Sequence, residues 1–141
     1  MEIKLVDASN SIMGRLASHI AKRLLKGESI VVVNAEEVMI SGSRKNRVDE
    51  AKSFLEVGSP RWGPRHHRRP DNMLRRTIRG MLPIDTSKGK VAYRRLQVHV
   101  GVPEELKGKP VERIDDAQAT GLRGPHVKLG EIAKELGWRS G

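Results

Sequence analysis

The residues with the greatest capacity for chemistry lie close together: Arg61, Arg65, Arg68, Arg69, Arg75, Arg76, Arg79, Arg94 and Arg95, with Lys88 and Lys90 among them. A guanidinium presents paired planar donors that match two phosphate oxygens, and it can stack on a base; an ammonium is a more hydrated point charge. Only Asp71 and Asp85 oppose these cations within the stretch. Residues 61–95 therefore carry +9 of a formal net charge of +10, while the other 106 residues hold 16 basic and 15 acidic groups. So localised a charge calls for a polyanionic partner.

A charge run can also be a solvated face or a solubility tail. Here acids are too few for internal pairing, prolines and glycines hold Gly58 to Pro70 away from any core, and apolar Leu74, Ile78, Met81 and Leu82 anchor the middle. Phosphate recognition accounts for all three features. Aromatics make up 3% of the chain (Phe54, Trp62, Tyr93, Trp138), which limits base stacking and leaves shape and phosphate contacts dominant. Trp62, His66 and His67 join the phosphate-facing set by position. As a metal pair the two histidines are unsuited, because adjacent side chains diverge in an extended loop, and no cysteine or carboxylate cluster is near.

Two other classes of function are weighed against this reading. A phosphate-handling enzyme would need a glycine-rich loop opening the first helix, and Asp7 to Gly14 matches neither the dinucleotide fingerprint nor the Walker pattern. No Ser, His and acid set stands in a motif for acyl transfer. A DNA-binding architectural protein would share the charge, but no helix-turn-helix junction with base-reading residues is visible. Neither a catalytic residue, nor a cofactor, nor a small-molecule substrate is expected.

The elements that must position the cations follow from periodicity. Ile3 to Val6 reads as a strand, Asp7 to Ser11 as turn and N-cap residues, and Ile12, Leu16, Ile20 and Leu24 as the buried line of a helix ended by Gly27. Ser29 to Val33 is apolar without alternation, which suits a strand covered on both faces in a parallel sheet. Strand, helix and strand make a right-handed βαβ unit. A strand follows at Val38 to Ser41, then a helix from Arg44 to Val57 that buries Val48, Ala51, Phe54 and Leu55. Gly58 to Pro70 is an extended loop. Asp71 is expected to cap a helix through Met73, Leu74, Ile78, Met81 and Leu82 to Pro83, followed by a helix Lys88 to Arg95 and a strand Leu96 to Val100. A loop from Pro103 to Pro110, irregular chain to His126 and an apolar-striped helix Leu129 to Leu136 complete the chain.

The result is an α/β protein: a three-layer α/β/α domain around a small, mostly parallel sheet of about four strands. One domain spans 1–141, with the basic loop and helices at 58–95 facing RNA and a C-terminal extension, 103–141, packing on the body. With no cysteine, no basic segment leading a hydrophobic run at Met1 and no apolar stretch long enough to span a bilayer, a cytoplasmic protein without a signal peptide or membrane contact is expected.

Several phrases also resemble a known family. Val6-Asp7-Ala8, Met13-Gly14-Arg15-Leu16-Ala17-Ser18, Val31 to Glu36, Ser41-Gly42 and Arg79-Gly80-Met81-Leu82-Pro83 stand in the order and spacing of the universal large-subunit ribosomal protein family numbered thirteen. The Pro-Arg-Trp-Gly-Pro-Arg loop and the Leu129 to Trp138 ending resemble its archaeal and eukaryotic branch. The resemblance implies a structural constituent of the ribosome that contacts large-subunit rRNA and neighbouring ribosomal proteins, supports early subunit assembly and sits as a monomer within the particle. It also implies Arg15 and Arg79 as rRNA contacts. Gly14 and Gly80 are read as permitting close approach of backbone to the sheet or to RNA.

If about eight cations each neutralise one phosphate, log affinity for a duplex-like RNA site falls with log salt at a slope near −7, at about 0.9 per contact. Filter binding across a salt series measures it; a slope shallower than about −3 rules out the multi-phosphate reading.

Overall fold

The computed structural model describes residues 3–56, 68–119 and 124–139. Its centre is a parallel sheet in the order β1-β2-β4, formed by β1 (Ile3–Asp7), β2 (Ser29–Val33) and β4 (Leu96–Val98). The register runs Ile3 to Ser29 through Asp7 to Val33 on one side of β2 and Ile30 to Leu96 through Val32 to Val98 on the other. β2 is central, which is why Ile30, Val31, Val32 and Val33 are all buried. This is the two-faced burial that the unbroken apolar run predicts.

Alternation along the strands divides the core. Val6, Ile30, Val32 and Leu96 face α1 (Met13–Leu25), α3 (Pro70–Arg79) and α4 (Ser87–Arg94), where they meet Leu16, Ile20, Leu24, Leu74, Ile78 and Ala92. Leu5, Val31 and Val33 face the other way, under Val102 and Leu106. That second cover is a loop with one short 3-10 turn, Glu104–Leu106. The α/β fold around a small, mostly parallel sheet is as expected; α1, α3 and α4 lie on one face of the three parallel strands, while the other face, where the three-layer reading puts helices, is covered by this loop.

The third strand in sequence, β3 (Met39–Ser41), leaves this sheet and pairs antiparallel with β5 (His126–Lys128). Left-handed Asn34 (φ 59°) and a 3-10 turn at Ala35–Glu37 redirect the chain after β2. β5, a strand that the sequence reading did not include, leads directly into α5 (Leu129–Glu135), whose Ile132, with Leu136 beyond it, packs with Val127 and with Val48 of α2 (Arg44–Glu56). The expectation for the side chains of Phe54 and Leu55 and for most of the loop Gly58 to Pro70 lies outside the described residues.

Helix ends differ from expectation in instructive ways. The N-cap of α1 is Ile12, with no side-chain cap, because Ser11 and Ile12 are drawn into pairing: Ile12 N donates to Ala117 O and Met39 N to Ser11 O, both at 2.7 Å. At the other end Gly27 takes a φ of 103°, with its N–H on Leu24 O and that of Glu28 on Arg23 O. This is the glycine-terminated helix end read from the sequence. Asp71 does not cap α3. Arg69 holds the N-cap position without a side-chain cap, and Pro70 follows in the first turn, where a missing N–H costs nothing and φ is already helical. Met81, expected in the core, is 43% exposed, because α3 stops at Arg79 and Met81 falls in the turn beyond it.

Asp7 joins three segments at the end of β1. Its carboxylate, 7% exposed, accepts from Ser9 N (2.9 Å), Asn34 Nδ2 (3.0 Å) and Arg113 (Nε 3.3 Å, Nη2 3.2 Å). Burial alone would raise its pKa, but the hydrogen bonds from Asn34 and Ser9 and the Arg113 charge outweigh burial and hold the carboxyl below the usual range. A second tie is Arg23, which donates both to Glu28 (3.0 Å) and to Glu112 (3.0 and 3.1 Å), fastening α1 to the segment that bridges β1 at Val6. These hydrogen bonds, first to Glu28 and then to Glu112, raise the guanidinium pKa further.

A folded pKa below the unfolded one means stability that is present above the ordinary Asp value and lost as pH falls through the folded value. Denaturant unfolding should therefore show a plateau above about pH 5 and a decline below about pH 4. Asp7→Asn should lower the plateau by about 1–3 kcal/mol and make the acid decline shallower. An unaltered acid limb in that variant would assign the decline to other carboxylates.

Candidate nucleic-acid interface

The basic side of the domain is built on α3. Leu74 and Ile78 are four residues apart and wholly buried against α1 and β4, so the opposite face of the same helix is presented outward. That outward face carries Asn72, Arg75, Arg76 and Arg79, spaced i, i+3, i+4 and i+7. Repulsion between like charges at such spacing costs a few tenths of a kcal/mol per pair. Burying Leu74 and Ile78 contributes about 1.5–3 kcal/mol each. Packing wins, and the helix displays its arginines at little expense.

Across from this face stands Tyr93 of α4. Its ring lies beneath Arg75, whose Cζ is 4.7 Å from the ring centroid, and the four α3 residues and Tyr93 line a single cleft. Arg75 Nε is shut off from solvent and has no hydrogen-bond partner. Arg76 and Arg79 are exposed.

Lys88, Lys90 and Arg94 are exposed on α4, which begins with a capped turn: Thr86 Oγ1 accepts from Gly89 N at 3.2 Å. Arg95 is turned inward. Its Nη1 donates to Leu24 O at 3.1 Å, in the last turn of α1, where a cation is favoured by the helix dipole; the same carbonyl also accepts from Gly27 N. With Lys26 and Lys88 it borders a shallow groove between the ends of α1 and α4.

Arg68 is exposed, and a Cβ added to Gly137 just after α5 would lie 3.8 Å from its Nη1. Arg69 pairs with Asp71 at 3.3 Å. Arg15 is exposed in the first turn of α1, beside α3: Thr77 Oγ1 lies 3.9 Å from Met13 Sδ. A Cβ on Gly14 would meet nothing within 4 Å, so Gly14 is not there for contact with the sheet; one on Gly80 would make ordinary contacts. Arg61, Trp62, Arg65, His66 and His67 lie outside the described residues.

Several cations of the body are paired. Arg23, Arg44, Arg47, Arg113 and Lys128 hold carboxylates on Glu28 and Glu112, Glu135, Glu50, Asp7 and Glu37 respectively. Lys128 has a raised pKa through its hydrogen bond to Glu37. Arg75, Arg76, Arg79, Lys88, Lys90 and Arg94 form no ion pair among the described residues. Asn72 and Tyr93 were missed as members of this surface. Asn72 stands three residues before Arg75 and is recoverable from helical spacing; Tyr93 carries no sequence signal, since its place depends on how α4 packs.

Two glycines mark close approaches that composition does not reveal. A Cβ on Gly130 would sit 3.0 Å from both Cβ and O of Glu36, so α5 lies hard against the turn after β2. A Cβ on Gly89 would fall inside the Pro83 carbonyl group and 2.9 Å from Ile84 N, so α4 and the turn preceding it are in backbone contact.

The family model described as ribosomal protein L13 matches residues 2–105. Among curated relatives, large ribosomal subunit protein uL13 of Archaeoglobus fulgidus is 46% identical over 140 residues, covering 98% of this chain and 90% of the relative. The protein of the same name from Sulfolobus acidocaldarius is 45% identical over 141 residues, covering 96% and 94%. That from Methanosarcina barkeri is 46% identical over 134 residues, covering 94% and 96%.

The Gly89 contact gives a test of how α4 is held. Alanine favours a helix interior over glycine by about 1 kcal/mol, yet the added methyl must displace backbone, and overpacking costs about 1–3 kcal/mol. Gly89→Ala should therefore be net destabilising in urea unfolding. A stabilised variant would show that the Pro83 turn yields freely.

Proposed function

We propose, for a chain that belongs to the ribosomal protein L13 family in its archaeal-type branch, that the side of the domain formed by α3, α4 and the loop before them holds large-subunit rRNA. The chain is a structural constituent of the large ribosomal subunit, and its role there is structural and not catalytic. The observation that carries the surface assignment is the gathering of unpaired cations on α3 and α4. Arg23, Arg44, Arg47, Arg113 and Lys128 of the body are matched by carboxylates, whereas Arg75, Arg76, Arg79, Lys88, Lys90 and Arg94, six cations gathered on two helices, stand without an acid partner among the described residues. Phosphates are the counter-charges that such a face is built to meet.

In this reading Arg61, Trp62, Arg65, His66, His67, Arg68 and Arg69 extend the surface along the loop, and Arg15 adds a cation at the start of α1. Arg95 supports the surface by fixing α4 to the end of α1. The protein works as a monomer in a cytoplasmic particle, beside neighbouring ribosomal proteins, as one 1–141 domain. No described helix is long and apolar enough to cross a membrane.

Lys88→Glu combined with Lys90→Glu tests the assignment away from the core. The purified variant should keep the far-ultraviolet circular dichroism of the parent. A tagged copy competing with the parent in cells should be depleted about tenfold or more from large subunits on a sucrose gradient. Equal incorporation would remove α4 from the interface.

A further inference from the structure

We propose that the cleft between α3 and Tyr93 binds one phosphodiester group of an RNA strand, with Tyr93 acting as a positioning residue that holds Arg75 ready for it. The proposal rests on the reading of this side as the RNA surface and names the chemistry of one site within it.

The lining is Asn72, Arg75, Arg76, Arg79 and Tyr93. Every charged group in it is a cation, and the arginines are donors without acceptor capacity. The cleft is about 190 Å³, below the roughly 300–1,000 Å³ of pockets that enclose drug-sized molecules. A compact anion suits both its size and its donors.

Arg75 decides between a phosphate and a base. Its Cζ lies 4.7 Å over the Tyr93 ring centroid, within the range of a cation–π contact. One face of the ring is thereby covered and is not open as a platform for a nucleobase. Among the described residues Arg75 forms no hydrogen bond or ion pair, and its buried Nε has no partner. Its orientation is set by the ring and by α3 packing, so its Nη donors are not consumed by the protein. Pre-orienting a long side chain lowers the entropy cost of each contact it makes.

The full-length protein, labelled with 15N at arginine, is titrated with uridylyl-uridine, with uridine and with inorganic phosphate while the Arg75 side-chain resonances are followed. The dinucleotide should shift them saturably, uridine should leave them in place, and inorganic phosphate should compete. Tyr93→Phe should retain the affinity, whereas Tyr93→Leu should weaken it by about fivefold, the loss of one cation–π contact. If Tyr93→Leu does not fold, Arg75→Gln serves, read at Arg76 and Arg79, with a comparable loss expected. Uridine shifting Arg75 as strongly as the dinucleotide would make this a base pocket and overturn the proposal. So would a shift with inorganic phosphate and none with the dinucleotide, or unchanged affinity in Tyr93→Leu or, where it replaces that variant, Arg75→Gln. A silent dinucleotide together with loss of incorporation in the Lys88 and Lys90 variant removes the cleft and leaves the wider interface standing.

Discussion

Burial of β2 on both faces is the constraint from which the rest of the architecture follows. Four consecutive apolar residues, Ile30 to Val33, point alternately to either side of the sheet, so each side must be covered. One side takes α1, α3 and α4; the other takes the loop around Val102 and Leu106. Since α3 must turn Leu74 and Ile78 toward that sheet, the orientation of its remaining residues is settled at the same time.

Charge placement is subordinate to that packing. The arginines of α3 are close enough to repel, but the penalty is small beside the apolar burial beneath them. The body, in contrast, uses charge to join distant segments: Arg23 links α1 to Glu112, and Asp7 gathers Ser9, Asn34 and Arg113. Cations with carboxylate partners hold the fold together; the cations of α3 and α4 stand without them. The same residue type thus serves two purposes, and the distinction is visible in its partners.

The C-terminal segment binds the body at several separate points. Glu112 bridges the edge of β1, Ala117 accepts from Ile12, β5 pairs with β3, and Gly130 brings α5 against Glu36. These contacts also explain the missing side-chain cap on α1. Backbone pairing from a remote segment took the place that a local serine would otherwise fill, and such long-range competition is invisible to local capping rules.

Much was legible in the sequence because it depends on neighbours in the chain. The apolar run of β2, the four-residue spacing of Leu16, Ile20 and Leu24 and the left-handed Gly27 are local patterns, and each appears where expected; the concentration of arginine is read from the sequence directly. Tertiary structure alone decided that β3 leaves the parallel sheet for β5, that Arg95 faces inward while Arg94 does not, that Gly89 and Gly130 are the close-approach glycines, and that Tyr93 lies under Arg75. The physical reason is common to these: each is set by the distance between segments remote in sequence, and residue type carries no record of that distance until the core has packed.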